Sequence, residues 1–155
     1  MTVRQTPSGA KLKDGYRSLV TFDADPDVSL FEMSVKPPGL DGGDKVDNTT
    51  FWNDTVRTYA ARQLKEMTDG SMTCGYDPKV YTQLLALINV ETLVTVLFSD
   101  SSRIEFYGFL KNAEPNELKE GEFPTLSCTI CCTNTHPTTG AEVVPVYYPS
   151  GSADT

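Results

Sequence analysis

The sequence predicts a mainly β domain: an antiparallel β-sandwich or barrel with one flanking α-helix at about 78–89, a long inter-strand loop and extended terminal arms. Three observations carry this. Short apolar runs recur with period-two alternation, and turn residues separate them. Only one segment carries helical spacing. A single helix among about six strands leaves no repeated strand–helix–strand unit, so a parallel sheet is excluded.

The elements follow in order. Residues 1–15 are polar and aperiodic and read as an N-terminal arm. YRSLVTF (16–22) reads as a first short strand, and DADPD (23–27) as a turn. VSLFEMSVK (28–36) alternates with Val28, Leu30 and Glu32 on one side and Phe31, Met33 and Val35 on the other. Both sides are apolar, so cover on both sides, or by a neighbour on one, is expected. KPPGLDGGDKVDNTT follows and opens a loop over 37–52 with no apolar pattern. Loops of that length in compact domains are functional or disordered. TVRTYAARQL (55–64) starts β-branched and ends in Ala, Gln and Leu, which suit a helix; it is read as a strand with a helix as the alternative, and SMTCGY (71–76) as another strand.

The helix has the clearest start. Asp77 suits the N-cap, where its carboxylate accepts a free N–H, and Pro78 suits the first helical position. Val80, Leu84 and Leu87/Ile88, flanked by Tyr81 and Leu85, form a wide apolar stripe expected to cover a sheet. LVTVLF (93–98) and RIEFYGFL (103–110) flank SDSS and read as a hairpin. KNAEPNELKEGEFP (111–124) reads as a second polar connection and TLSCTICCT (125–133) as the last clear strand. GAEVVPVYYP (140–149) reads as an edge strand or arm, with 142–155 as a C-terminal arm. The 155 residues are expected to form one domain.

Composition narrows the function. Thirteen basic against 21 acidic side chains give a net charge of −8, which argues against a surface that grips nucleic acid through phosphates. No apolar run approaches the roughly 20 residues of a membrane span, so no membrane partner is expected. MTVRQTPSGAKLKDG lacks the apolar core of a secretory signal, so folding is expected in the cytoplasm where the chain is made. Cys74, Cys128, Cys131 and Cys132 lack a second C-x-x-C pair, and a strand would point Cys131 away from Cys128 and Cys132. They read as buried thiols, and no metal or cofactor is expected. His136 sits in the turn-like NTHPTTG with no orienting group for a Cys–His nucleophile, so no catalytic residue is expected. DADPD has the acid spacing of a calcium loop but places Val28 and Ser34 where that loop needs Gly and Glu. Glu114, Glu117, Glu120 and Glu122 read as a solvated face, and PPGLDGGD lacks the Lys-Ser/Thr of a phosphate cradle.

EMSVKPPGLDGGDKVDNTT, GYDPKVYTQLLALINVE, FYGFLKNAEPNELKEGEFPTLSCTI and PTTGAEVVPV together resemble the tail tube (major tail) proteins of long, non-contractile-tailed phages, over about 28–146. The most specific parts are the Tyr-Asp-Pro turn, the Phe-Tyr-Gly-Phe strand and the Glu-Gly-Glu-x-Pro segment. Cysteines at 128–132 depart from the β-branched residues such a strand is expected to carry. The resemblance implies rings of six subunits stacked into a hollow tube through which DNA passes, without specific binding, during ejection. It implies tape-measure, tail terminator and tail-tip proteins as partners, and a virion tail assembled in the host cytoplasm.

Physical reasoning adds detail to that expectation. A ring needs a head-to-tail interface that closes, and stacking needs a second one. Residues of the long loop, Pro37, Pro38, Gly39, Leu40, Asp41, Gly42, Gly43, Asp44 and Lys45 with the aromatic anchors Phe51 and Trp52, are expected to reach the next ring or the adjacent subunit. Deleting 39–44 is expected to leave a folded monomer and weaken stacking. An acidic wall would repel phosphate, and Glu32 and Glu105 are the acids assigned to the lumen. The alternatives are a solitary β-sandwich binding module for a glycan or receptor, with Trp52, Tyr147 and Tyr148 as its aromatics, and a cysteine-dependent enzyme.

Overall fold

In the computed structural model, residues 17–28 and 30–149 are described; the arm expected at 1–15 and the chain from 150 onward lie outside them. The strands are β1 (Leu19–Phe22), β2 (Glu32–Lys36), β3 (Leu40–Asp41), β4 (Val46–Asp47), β5 (Tyr59–Ala60), β6 (Glu66–Met67) and β7 (Gly70–Gly75). After α1 (Pro78–Leu87) come β8 (Thr92–Leu97), β9 (Arg103–Pro115), β10 (Thr125–Cys132) and β11 (Val146–Tyr148). One antiparallel sheet runs β1-β8-β9-β10-β7-β2, with β11 also on β9. It curls into a half-barrel rather than dividing into a sandwich. The outermost strands, β1 and β2, come together at a seam, where the Val20 N–H donates to Glu32 Oε1 at 3.3 Å.

Alternation explains the core. Val94 and Val96 on β8, Phe106 and Leu110 on β9, Leu126, Cys128 and Ile130 on β10, and Met72 and Cys74 on β7 all point inward and are fully buried. Val20 and Phe22 of β1 complete that side. The helix closes it with Val80, Leu84 and Leu87. Asp77 caps it as expected, its Oδ1 accepting the Lys79 N–H at 2.9 Å. The helix stops at Leu87, two residues short of the expected end, because the chain turns into β8 there: Asn89 adopts φ 63° and its N–H donates to the Leu110 carbonyl at 3.1 Å. Leu85 was expected in the apolar stripe but is 47% exposed, since it points away from the sheet. Tyr81 is half-buried with its ring 5.8 Å from that of Tyr76, and Ile88 bridges to Leu110.

Several expectations need correction. β9 does not end at Leu110 but runs to Pro115. Lys111 forms a bulge there, since Thr129 faces Asn112 and Ile130 faces Leu110, and this shifts the alternation. Among the described residues of the expected strand 28–36, only Glu32–Lys36 is strand, with a register break between Glu32 and Ser34 that turns Met33 outward. Among the described residues the cover is one-sided: Val28, Leu30 and Val35 pack against the core while Phe31 and Met33 are exposed. TVRTYAARQL contributes only Tyr59–Ala60, and the supposedly patternless 37–52 contributes β3 and β4. The expected strand 140–149 is strand only at 146–148, where β11 pairs with Arg103–Glu105 of β9.

A candidate assembly surface

Residues 37–69 form a β-arm. β3 pairs with β6, Leu40 opposite Met67 and Asp41 opposite Glu66. Farther out β4 pairs with β5, Val46 opposite Ala60 and Asp47 opposite Tyr59. Two-residue strands cannot hold such an arm alone, and side chains supply the rest. At its root Thr68 Oγ1 accepts the Gly39 N–H at 2.9 Å, and Pro38 is buried against Gly70. A Cβ on Gly70 would stand 2.9 Å from Pro38 Cδ, so the close crossing at the root requires glycine. Asp41 Oδ1 accepts the Gly43 N–H at 2.8 Å, and Gly43 takes φ 78°. Arg62 Nε donates to the Asp44 carbonyl at 2.9 Å, and Lys45 Nζ lies 3.8 Å from the Tyr59 ring centroid.

The tip, 49–58, is equally well tied. Asp47 accepts the Thr49 N–H at 2.9 Å and pairs with Arg57 at 3.1 Å. Hydrogen bonds from Thr49, side chain and then backbone, hold the Asp47 carboxyl below its usual range, and Arg57 adds to this. Asn53 Oδ1 accepts the Thr50 N–H at 2.9 Å, and Asn53 Nδ2 donates to the Val56 carbonyl at 3.0 Å. These polar ties turn the apolar side chains outward. Phe51 is 107% and Trp52 93% exposed, and Val56 and Leu64 are exposed as well. A polar, ordered frame presenting bare aromatics is the usual makeup of a protein–protein contact. The residues singled out from the sequence, Pro37 to Lys45 with Phe51 and Trp52, thus form the outgoing limb and tip. The returning limb, with Tyr59 and Arg62, lies in the segment 55–64 that the sequence reads as a single strand. Its signal is Asp47 and Arg57, opposite charges bracketing NTTFWNDTV.

A second exposed apolar site lies on the body. A groove of about 530 Å³ runs between Met33 and the 116–124 loop, lined also by Asn116, Glu122, Phe123 and Thr125. Asn116 pins the loop: its Nδ2 donates to Thr125 Oγ1 and its Oδ1 accepts from Ser127 Oγ, both at 2.8 Å. Phe123 is 87% and Met33 61% exposed. A smaller recess of about 270 Å³ lies at the arm's base between Leu40, Leu64 and Val143–Pro145.

The two acids assigned to a lumen occupy opposite faces of the sheet. Glu32 stands opposite Cys74, on the core side, at the seam described above. Glu105 follows the alternation away from the buried Phe106 and pairs with Arg103 at 3.1 Å. Arg103 in turn lies 4.3 Å from the Tyr148 ring, which fastens β11. His136 is half-buried, 5.4 Å from the Tyr107 ring, and its Nδ1 accepts the N–H groups of Thr138 and Thr139. Cys74 and Cys128 are buried; Cys128 is pushed up by its contact with Cys74 and by burial, and burial pushes the Cys132 thiol up to about 12. Among the described residues no three of His, Cys, Asp and Glu are grouped to hold a metal, and no helix is long and apolar enough to cross a membrane.

No protein-family model matches the chain, and no curated protein matches it. Among solved structures, the chain is similar to one in the cryo-EM structure of the anti-feeding prophage baseplate, six-fold symmetrised. The TM-score is 0.57 at 10% identity, covering 80% of this chain and 93% of that one. At that identity the likeness shows a shared fold.

Proposed function

We propose that this protein is a structural virion subunit whose six-membered rings stack into the hollow tube of a phage-type tail. The observation that carries the reading is the β-arm, an ordered projection with two bare aromatic side chains at its tip. An isolated domain gains nothing from holding Phe51 and Trp52 in water. The fold shared with a chain of a six-fold baseplate structure supports assembly into a ring-based particle. The long loop and the Tyr-Asp-Pro motif favour the long, non-contractile type over contractile-tail and secretion-system tubes of the same fold. In this reading the subunit catalyses nothing and needs no cofactor. Its partners are its own copies, with tape-measure, terminator and tail-tip proteins in the tail. DNA transits an acidic lumen that repels phosphate, and the net charge of −8 suits that task.

The test is negative-stain electron microscopy of concentrated protein beside its light-scattering mass. Six-fold rings or hollow tubes are expected. A strict monomer at every concentration would overturn the reading and favour the solitary binding module, for which Phe51 and Trp52 would serve as a ligand platform.

A further inference from the structure

We infer that the arm tip of one copy seats Phe51 and Trp52 in the Met33–Phe123 groove of the next copy along the stack. The inference rests on the tube reading and names the partner surface within it. Strand register supplies the first argument. The arm leaves the sheet after Lys36 and returns at Gly70, which pairs with Ile130. The groove lies at the other end of the same strands, where Glu32 faces Cys74, Thr125 faces Gly75, and Leu126 faces Pro115. Projection and groove therefore sit at opposite ends of one sheet. A chain so built fills its neighbour's groove rather than its own. Because the two surfaces are unlike, the contact is head-to-tail, and with projection and groove at opposite ends of the sheet it repeats along the stack.

Area is the second argument. Two buried aromatic side chains remove about 150–250 Å² each from water, so tip and groove together bury on the order of 600–1,000 Å². That falls below the roughly 1,200–2,000 Å² of a stable pairwise interface. One contact holds two single chains weakly, while six contacts acting together between two rings hold firmly. Free subunits thus stay apart and rings stack, as a tube requires.

The test uses two full-length variants, each with exposed substitutions. The tip variant carries Phe51→Ser and Trp52→Ser; the groove variant carries Met33→Asp and Phe123→Ser. Circular dichroism checks that both are folded. Wild-type protein is expected to form stacks, and each variant alone to stop at single rings. Rings of the two variants, prepared separately and mixed, are expected to form two-layer particles of doubled mass and no longer, because one functional tip meets one functional groove. Val144→Asp, at the arm-base recess, is expected to stack normally. Stacking by either variant alone, or a mixture that stays at single rings, overturns the tip-in-groove contact and leaves the tube reading standing. Loss of stacking in Val144→Asp would move the contact to the recess. Wild-type protein that forms neither rings nor stacks overturns the tube reading, and this inference with it.

Discussion

Gly108 lies in the Phe-Tyr-Gly-Phe strand, between Thr92 of β8 and Cys132 of β10. A Cβ at this position would overlap the carbonyl oxygen of Cys131, a main-chain atom that no rotamer change can remove. Gly108→Ala therefore forces β9 and β10 apart locally. Overpacking of this kind costs about 1–3 kcal/mol. Stretching the neighbouring Thr133 N–H to Tyr107 carbonyl bond, 2.9 Å in the native sheet, adds about 1 kcal/mol. A loss of about 3 kcal/mol corresponds to a fall in melting temperature of about 6–12 °C in a chain of this size. Two other glycines calibrate the measurement. Gly42→Ala meets nothing within 4 Å and is expected to be neutral within about 0.5 kcal/mol. Gly121→Ala also meets nothing, but its φ of 84° costs a side chain about 1 kcal/mol. Urea unfolding of the three variants gives the ranking. A Gly108→Ala protein that melts within 2 °C of wild type would refute the argument from the Cys131 carbonyl.

Asp77→Ala removes the acceptor for the Lys79 N–H and is expected to cost about 1 kcal/mol, read by thermal circular dichroism; Asp77→Asn should restore most of it. Tyr148→Ala removes the ring over Arg103 and is expected to lower amide protection of 146–148 about five-fold in hydrogen exchange, with the core strands unchanged. Because Asp47 titrates below its ordinary value of 3.8 in the folded arm, its contribution to the tip is complete above that value and is lost as pH falls through the lowered one. Thr49 and Asn53 amide resonances are expected to hold steady down to about pH 4 and to move below it, while Asp47→Ala should show the displaced positions at neutral pH.

How far the fold could be read from the chain depended on whether each element repeats long enough to show a period. Asp77-Pro78 and the Val80, Leu84, Leu87 spacing announce a helix, and Leu93–Leu110 alternates well enough to announce a hairpin. The arm hid itself because β3 to β6 are two residues each and are held by Asp41, Asp47, Asn53 and Arg62 instead of a ladder. Period-two patterns need four or more residues to appear. Lys111 hid the second half of β9, since one extra residue reverses the alternation just where Glu114 and Pro115 also suggest a loop. A similar slip between Glu32 and Ser34 hid the outward turn of Met33, and with it one wall of the groove. The outgoing limb and its aromatics could be recognised because a mostly polar, glycine-rich stretch of fifteen residues followed by Phe-Trp has no place in a core. Phe123 could not be recognised, because its exposure depends on a loop whose root is fixed by Asn116 across 9 and 11 residues.

The length of β9 bears on how the chain is made. Its first half pairs with β8 and its second with β10, so 92–132 is a local meander that forms from contacts near in sequence. β1 waits for β8, and β7 waits for β10. A ribosome adding about 5–20 residues per second therefore exposes the N-terminal strands, and Phe51 and Trp52 with them, for several seconds before their sheet partners emerge. During that interval the aromatics are flanked by Asp44, Lys45, Asp47, Asp54 and Arg57, with Pro37 and Pro38 upstream. Charges and prolines bordering an apolar segment keep nascent chains from pairing prematurely. The polar residues that frame the arm in the finished subunit thus also keep the unfinished chain soluble during synthesis.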